Sequence, residues 1–157
     1  MLKQRTTPEE ALYKARHFCG YRERCRYEVT EKLYGLGLHK QEVEKTLLQL
    51  TEDGYLNEDR FASMFAGGRF RVKKWGRVKI RYELKLKRVE NSSIVHALSE
   101  INIEEYAHVL EVMARKKWNS LKNLQDYSRS AKTMQYLLSK GYEPGLISRA
   151  LTVLKQG

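Results

Sequence analysis

The amino-acid sequence predicts an all-α protein of about nine helices, arranged as tandem three-helix repeats. One apolar pattern occurs three times along the chain, and in each copy its last three positions follow the i, i+4, i+7 spacing of one helix face. The two prolines both stand where a helix would begin. With 157 residues, 41% of them hydrophobic, the chain is long enough to bury a core of this kind.

The repeat consists of five apolar positions per copy. They are Leu33, Leu38, Val43, Leu47 and Leu50, then Leu84, Val89, Ile94, Leu98 and Ile101, then Leu137, Tyr142, Ile147, Leu151 and Leu154. Each copy is typical of a helix, a tight turn and a second helix. Helix-like segments at residues 9–19, 58–74 and 103–118 precede the copies. We therefore expect a single domain made of three repeats, approximately at residues 8–54, 55–102 and 103–157.

Local signals mark the helix ends. Thr7 and Asn102 are predicted N-caps, and each is followed by acids in the first helical turn. Pro8 and Pro144 suit first-turn positions, where no backbone N–H is needed. The predicted stops are positions where glycine can take the left-handed conformation that follows a helix: Gly35 or Gly37, Gly54 and Gly141.

An acidic group precedes the first helix of the middle repeat. Asp53, Glu58 and Asp59 surround the segment in which that helix begins, near Asn57. The group does not follow the calcium-loop pattern. We expect these acids to stabilise the N-terminus of that helix, where the helix dipole favours negative charge.

The middle repeat also contains one ambiguous segment, residues 78–87. Its apolar and charged residues alternate, which is the pattern of a β-strand. The repeat favours a helix, because Leu84 aligns with Leu33 and Leu137 in helical sequence. We predict a helix; a strand would instead favour a basic β-platform of the oligonucleotide-binding type.

The net charge of +11 indicates an anionic partner, since 30 Lys and Arg residues oppose 19 Asp and Glu. Composition alone does not choose among nucleic acid, an acidic protein surface and anionic lipid. Apolar runs are too short for a membrane-spanning helix or a signal peptide. Two cysteines are too few for a secreted disulfide scaffold. We therefore expect a cytoplasmic protein with no membrane partner.

The positive excess lies in one segment, residues 69–88, which we call the basic block. Its bases are Arg69, Arg71, Lys73, Lys74, Arg77, Lys79, Arg81, Lys85, Lys87 and Arg88, and its single acid is Glu83. A merely solvated helix face normally mixes the two signs, whereas like charges at this density repel one another. Lys and Arg bind phosphates with an affinity that tolerates any base sequence and falls with salt. The block therefore predicts binding to a polyanion.

Three aromatic residues, Phe70, Trp75 and Tyr82, are interleaved with these bases. Such rings can stack on exposed bases, but we expect them chiefly in the core. A second basic cluster, Arg115, Lys116 and Lys117, follows the predicted seventh helix. It either extends the basic surface or places cations at a helix C-terminus, where the dipole favours them.

No residue set indicates catalysis, a cofactor or a metal. The phosphate-binding G-x-x-x-x-G-K-[ST] pattern is absent, and no nucleophile is paired with a base. His17, Cys19 and Cys25 are the one group suited to a soft metal, but a structural zinc site needs four ligands at tighter spacing. We expect two half-buried helical cysteines and no enzymatic activity.

Three motifs, in order, resemble the RecX family of bacterial recombination regulators. They are Gly54-Tyr55-Leu56-Asn57-Glu58-Asp59-Arg60-Phe61-Ala62, then Trp75-Gly76-Arg77-Val78-Lys79-Ile80-Arg81-Tyr82-Glu83-Leu84, then Leu138-Ser139-Lys140-Gly141-Tyr142 followed by Ile147 and Ala150-Leu151. The resemblance covers roughly residues 11–154. The chain departs from the family at Cys25, where serine is common, and at Arg88, where glycine is. These departures leave the start of the second helix and the conformation of the Arg88 turn open.

The resemblance implies three-helix units stacked into an elongated, curved body. It also implies a protein that binds the RecA recombinase filament, lodged in its helical groove, and that restrains strand exchange, ATPase and coprotease activity. Binding to single- and double-stranded DNA without sequence preference is implied too, with a role in DNA repair, recombination and the SOS response. A helix-turn-helix transcriptional regulator is the alternative, and it would read bases from one helix of a symmetric dimer. The sequence leaves the oligomeric state open.

Overall fold

The computed structural model describes residues 5–157, and this part of the chain forms nine α-helices and no strand. The helices are α1 (Pro8–Tyr21), α2 (Arg26–Gly35), α3 (Lys40–Glu52), α4 (Glu58–Lys73), α5 (Arg77–Leu86), α6 (Asn91–Ser99), α7 (Ile103–Ser120), α8 (Asp126–Ser139) and α9 (Pro144–Gln156). The ambiguous segment is therefore helical, as predicted, because its apolar positions Ile80 and Leu84 are buried together on one face of α5.

The predicted caps are confirmed at two helices. The side chain of Thr7 accepts a hydrogen bond from the backbone N–H of Glu10 at 3.2 Å, at the start of α1. The Asn102 side chain accepts one from the N–H of Glu105 at 2.8 Å, at the start of α7. Each cap satisfies one of the backbone donors that the first helical turn leaves without a partner.

The three-fold repeat of the sequence is confirmed by one backbone hydrogen bond that occurs in every copy. The N–H of Leu38, Val89 and Tyr142 donates to the carbonyl of the residue five positions earlier, at 3.4, 3.1 and 3.2 Å. These bonds close the turn after α2, α5 and α8, and they have the form of a Schellman motif. The first four apolar positions of each copy are buried, so the chain is built from tandem three-helix repeats.

The same turn needs a left-handed residue, and the middle repeat supplies it without glycine. Gly37 and Gly141 have φ of +90° and +94°, whereas Arg88 has φ of +59°. Arg88 thus takes the place of the glycine that is common in the family, and the left-handed conformation of the turn is kept. A non-glycine residue in this region costs about 1–2 kcal/mol.

The start of α2 departs from the expectation for the acidic group. Cys25 occupies the N-cap position, but its side chain makes no capping bond. The Oε1 atom of Glu58 instead accepts the N–H of Arg26 at 2.6 Å. Glu58 therefore caps α2, and Asn57 caps its own helix α4 by accepting the N–H of Arg60 at 3.0 Å. The expectation that Glu58 serves α4 was incomplete, because the partner lies in another repeat.

Both cysteines are free and buried, and Cys25 precedes α2, so the expectation of two half-buried helical cysteines was wrong. The Cys25 thiol donates to Glu28 at 3.4 Å, and burial raises its pKa to about 11. Within residues 5–157, no group of three or more His, Cys, Asp or Glu side chains is placed to hold a metal ion. None of the described helices combines the length and the apolar character needed to cross a bilayer.

The described residues form two compact units. The first contains residues 5–65 and Leu84–His96, and the second contains Ala66–Glu83 and Ala97–Gly157. The boundary falls inside α4, α5 and α6, so the middle repeat contributes residues to both units. The basic block is divided in the same way, with most of its residues in the second unit.

Candidate nucleic-acid interface

The larger part of the basic block lies on the last turns of α4, the first turns of α5 and the short turn between them. Lys74 begins this turn with φ of +61°. Its N–H donates to the Phe70 carbonyl at 3.0 Å, and the N–H of Trp75 donates to the Arg69 carbonyl at 3.2 Å. A lysine thus takes the left-handed position that ends α4, and its side chain is exposed.

The turn is fastened to the α8–α9 turn by main-chain bonds. The N–H of Gly76 donates to the Lys140 carbonyl at 2.8 Å, and the N–H of Val78 donates to the Gly141 carbonyl at 2.9 Å. A Cβ atom on Gly76 would overlap the main chain of Gly141, and one on Gly141 would overlap Lys79. Glycine at both positions lets the two backbones touch, which fixes the start of α5.

Arg77 belongs to a half-buried network. Its guanidinium forms an ion pair with Glu143 at 2.7 Å and lies 3.8 Å from the centre of the Tyr106 ring. Its N–H donates to the Tyr106 hydroxyl at 3.0 Å, and that hydroxyl donates to the other carboxylate oxygen of Glu143. The charge of Arg77 is therefore neutralised inside the protein.

The network continues into an aromatic core. The Tyr106 ring lies 5.7 Å from that of Phe70 and 5.2 Å from that of Tyr142, between ring centres. The Tyr142 hydroxyl donates to the Lys74 carbonyl at 2.8 Å. Burial raises the pKa of both tyrosines well above the usual value. The expectation that Phe70 belongs to the core is confirmed, since it is only 3% exposed.

Trp75 lies between two cations of the block. The Arg69 guanidinium is 5.5 Å and the Lys79 ammonium 4.5 Å from its ring, distances that favour cation–π attraction. The Arg71 guanidinium lies back along α4 against Gly67. These contacts orient the long side chains, which leaves less rotamer freedom to be lost when an anion binds.

Lys73, Lys74 and Arg81 are exposed. None of the ion pairs in the described part of the chain involves them. Exposed apolar side chains stand beside these cations: Val72 is 77%, Val78 51% and Tyr82 61% exposed. The expectation that Tyr82 packs in the core was wrong, because it lies on the face of α5 opposite Ile80 and Leu84. This surface offers free positive charge together with apolar contact area.

The remaining residues of the block, Lys85, Lys87 and Arg88, lie in the first unit. Lys85 is exposed. The Lys87 ammonium is 5.8 Å from the Phe65 ring, and the Arg88 guanidinium is 4.5 Å from the Tyr27 ring. Both charged groups therefore lie within reach of a cation–π attraction to an aromatic ring of the same unit.

The second basic cluster splits between two sides of α7. Arg115 pairs with Glu111 at 3.2 Å and borders a groove against α9. The Lys117 ammonium is 5.0 Å from the Tyr136 ring of α8, while Lys116 is exposed. Sequence reasoning missed Lys140, whose ammonium faces the same Tyr136 ring at 5.9 Å and whose carbonyl holds the turn after α4. Its position directly before Gly141, where the sequence predicts the end of a helix, could have indicated that Lys140 lies at a turn.

Comparison with known proteins places this arrangement in a family. A family model described as the second three-helix domain of RecX matches residues 57–98, and one described as the third matches residues 104–151. A protein named Regulatory protein RecX from Chlorobium phaeobacteroides is 32% identical over 93% of this chain and 94% of its own length. The namesake from Prosthecochloris aestuarii is 34% identical over 92% and 93%.

The chain is shorter than some relatives and shares its fold with solved structures. It spans 56% of the Oceanobacillus iheyensis protein of the same name, with 28% identity, and 54% of that from Clostridium perfringens. The crystal structure of RecX from Lactobacillus salivarius superposes with a TM-score of 0.88 at 20% identity, over 96% of this chain and 97% of that one. From the family models and these relatives together, the chain belongs to the RecX family of regulatory proteins.

Proposed function

We propose that this protein binds the RecA nucleoprotein filament and DNA, and that it mainly inhibits the recombinase, ATPase and coprotease activities of that filament. The proposal includes a role in DNA repair, recombination and the SOS response. It also includes a cytoplasmic location, since that is where such a filament forms. We propose that the protein acts without catalysis of its own, as a single RecX-like domain with repeats near residues 8–54, 55–102 and 103–157.

The observation that carries the proposal is the mixed surface on α4 and α5. Lys73, Lys74 and Arg81 offer unpaired charge to phosphates or to carboxylates. Phosphate binding does not require the exposed apolar side chains of Val78 and Tyr82. A filament of protein and DNA offers anionic groups to the cations and apolar protein surface to these two side chains. The surface therefore fits a nucleoprotein partner better than naked duplex DNA.

The rest of the predicted set has a graded role in this proposal. Arg69, Arg71, Lys79, Lys116 and Lys117, in the same unit as the surface, strengthen its positive field. Lys85, Lys87 and Arg88 give the first unit positive charge of its own. Arg77 and Arg115 contribute less, because Glu143 and Glu111 neutralise them. We expect DNA binding to be independent of base sequence and to weaken steeply as salt rises.

The test is the ATPase rate of RecA on single-stranded DNA with increasing amounts of this protein. We expect inhibition, and we expect the Lys73→Ala/Lys74→Ala/Arg81→Ala variant to need about tenfold more protein, since three phosphate contacts are lost. The matched control removes three exposed lysines elsewhere, in Lys40→Ala/Lys45→Ala/Lys132→Ala. Equal loss in both variants would exclude a localised surface.

Two outcomes would contradict the proposal. No effect of the natural protein on the ATPase rate at saturating amounts would remove the filament as its target. Binding to one duplex sequence far more tightly than to random DNA would favour the helix-turn-helix alternative, because a recognition helix reads base edges, whereas phosphate binding tolerates any sequence.

A further inference from the structure

A second surface, on α1 and α2 of the first unit, carries exposed aromatic rings. Tyr13, His17 and Tyr21 are spaced four residues apart on α1, so they lie along one face of the helix. Tyr13 and Tyr21 are 64% and 86% exposed, and His17 is exposed as well. We call these three residues the aromatic ladder.

The ladder borders a shallow depression of about 560 Å³. The rings of Tyr13 and His17 meet edge to face, with centres 4.5 Å apart and planes inclined by 66°. Beside them, the Arg24 guanidinium covers the Phe18 ring at 3.7 Å and donates to the Phe18 carbonyl at 3.0 Å. The Lys32 ammonium also lies 5.5 Å from the centre of the Phe18 ring. The rings of the ladder are left open to solvent.

The depression is cationic. Lys14 and Lys32 border it, and no carboxylate does. Neither lysine takes part in an ion pair within residues 5–157. Arg24 forms an ion pair with Glu28 at 3.5 Å. The unpaired positive charge of the depression therefore comes from Lys14 and Lys32.

Aromatic rings next to lysines are suited to binding single-stranded nucleic acid. Unpaired bases expose flat faces that stack on aromatic side chains, and their phosphates bind lysines. A duplex hides those faces inside the base stack, so an aromatic ring on a helix surface cannot stack on them. We propose that the aromatic ladder binds single-stranded nucleic acid, with unpaired bases on Tyr13, His17 and Tyr21 and phosphates at Lys14 and Lys32. The inference rests on the DNA binding proposed above and gives it a second site, which uses none of the basic block.

The test compares two fluorescent probes of equal length and charge, oligothymidine and an abasic oligonucleotide. Tyr13→Ala/Tyr21→Ala should weaken oligothymidine binding about tenfold or more, since each stacked base contributes about a fivefold factor or more. Binding of the abasic probe should change by less than about twofold, because its phosphates remain. Lys14→Ala/Lys32→Ala should weaken both probes, since it removes phosphate contacts.

Two controls separate stacking from folding and from other surfaces. Tyr13→Phe/Tyr21→Phe keeps the rings and should keep oligothymidine affinity. Tyr127→Ala removes a tyrosine that is 87% exposed on α8, outside the ladder, and should leave both probes unchanged. The Lys73→Ala/Lys74→Ala/Arg81→Ala variant reports the basic block independently, because it should weaken both probes alike.

Direct contact is mapped by photocrosslinking with a 5-iodouracil oligonucleotide, followed by mass spectrometry. We expect adducts on Tyr13, His17 or Tyr21. The inference is overturned if Tyr13→Ala/Tyr21→Ala binds oligothymidine as the natural protein does, or if it loses both probes equally. In the first case the ladder does not bind nucleic acid, and a protein partner is the remaining occupant to test with it.

Discussion

Arg77 and Arg81 stand four residues apart on α5 and have the same chemistry, yet the structure gives them opposite roles. Arg77 is half-buried and paired with Glu143, whereas Arg81 is exposed. The local sequence does not distinguish the two arginines, because Glu143, which pairs with Arg77 alone, is 66 positions away from it. The sequence predicted the basic character of this segment, but a long-range contact decides which charges reach a partner.

The role of Arg77 predicts a difference in stability. Arg77→Ala should lower the free energy of unfolding by about 1–3 kcal/mol, because it leaves Glu143 and Tyr106 without their charged partner. Arg81→Ala should change it by less than about 0.5 kcal/mol, as expected at an exposed site. Urea unfolding followed by circular dichroism measures both values. Equal stability of the two variants would contradict the network.

The buried tyrosines predict a loss of stability at alkaline pH. Burial raises the pKa of Tyr106 and Tyr142 above that of an unfolded tyrosine, which is about 10. Their contribution is therefore complete below about pH 10 and is lost as the pH rises above it, because the unfolded chain then releases protons that the folded chain retains.

Urea midpoints measured from pH 8 to pH 11 test this dependence. Tyr106→Phe should lower stability at pH 8 and flatten the decline above pH 10. Tyr82→Phe, at an exposed position, should follow the natural protein at every pH. An unchanged slope in Tyr106→Phe would show that other groups cause the decline.

At the scale of elements, caps and turns determine where each helix begins and ends. Thr7 and Asn102 were predictable as caps, because their partners lie three residues away. The cap of α2 was not, because Glu58 reaches Arg26 from another helix. Sequence patterns identify local partners of this kind and carry no signal for distant ones.

The turn after α4 allows charge and backbone strain to be separated. Lys74→Gly removes a cation and also relieves a left-handed conformation that costs lysine about 1–2 kcal/mol. We expect the variant to be as stable as the natural protein or up to about 1 kcal/mol more stable, while DNA binding weakens. Lys74→Ala should weaken binding equally without the gain in stability. Thermal unfolding and fluorescence anisotropy provide the two measurements.

At the scale of the whole molecule, the repeat predicts equivalent core positions. Leu47, Leu98 and Leu151 are 3%, 5% and 4% exposed. Replacement of each by alanine should lower the free energy of unfolding by about 2–5 kcal/mol, through lost burial and the cavity left behind. Leu48→Ala is the matched control, since its side chain is 60% exposed. A small loss of stability at one of the three positions would contradict the prediction that they are equivalent core positions of the repeat.

The sequence predicted the repeated helices well and the binding surfaces only in part. Leu33, Leu84 and Leu137 sit at equivalent buried positions because helix periodicity and burial are local properties of the pattern. The aromatic ladder was not predicted, because the positive excess of the sequence lies in the basic block, whereas Glu9 and Glu10 balance the bases of α1. A surface depends on which side chains share a face, and a charge total does not contain that information.

The contact between Gly76 and Gly141 has a consequence for how such chains diverge and for how they can be recombined. Because main-chain atoms meet there, Gly76 cannot be replaced while the backbone of Gly141 stays in place, and Gly141 cannot be replaced while Lys79 does. A hybrid that takes its last repeat from a relative should keep its shape only when the donor also supplies glycine at this point. In such a hybrid the two positions act as one unit, although more than the length of a repeat separates them along the chain.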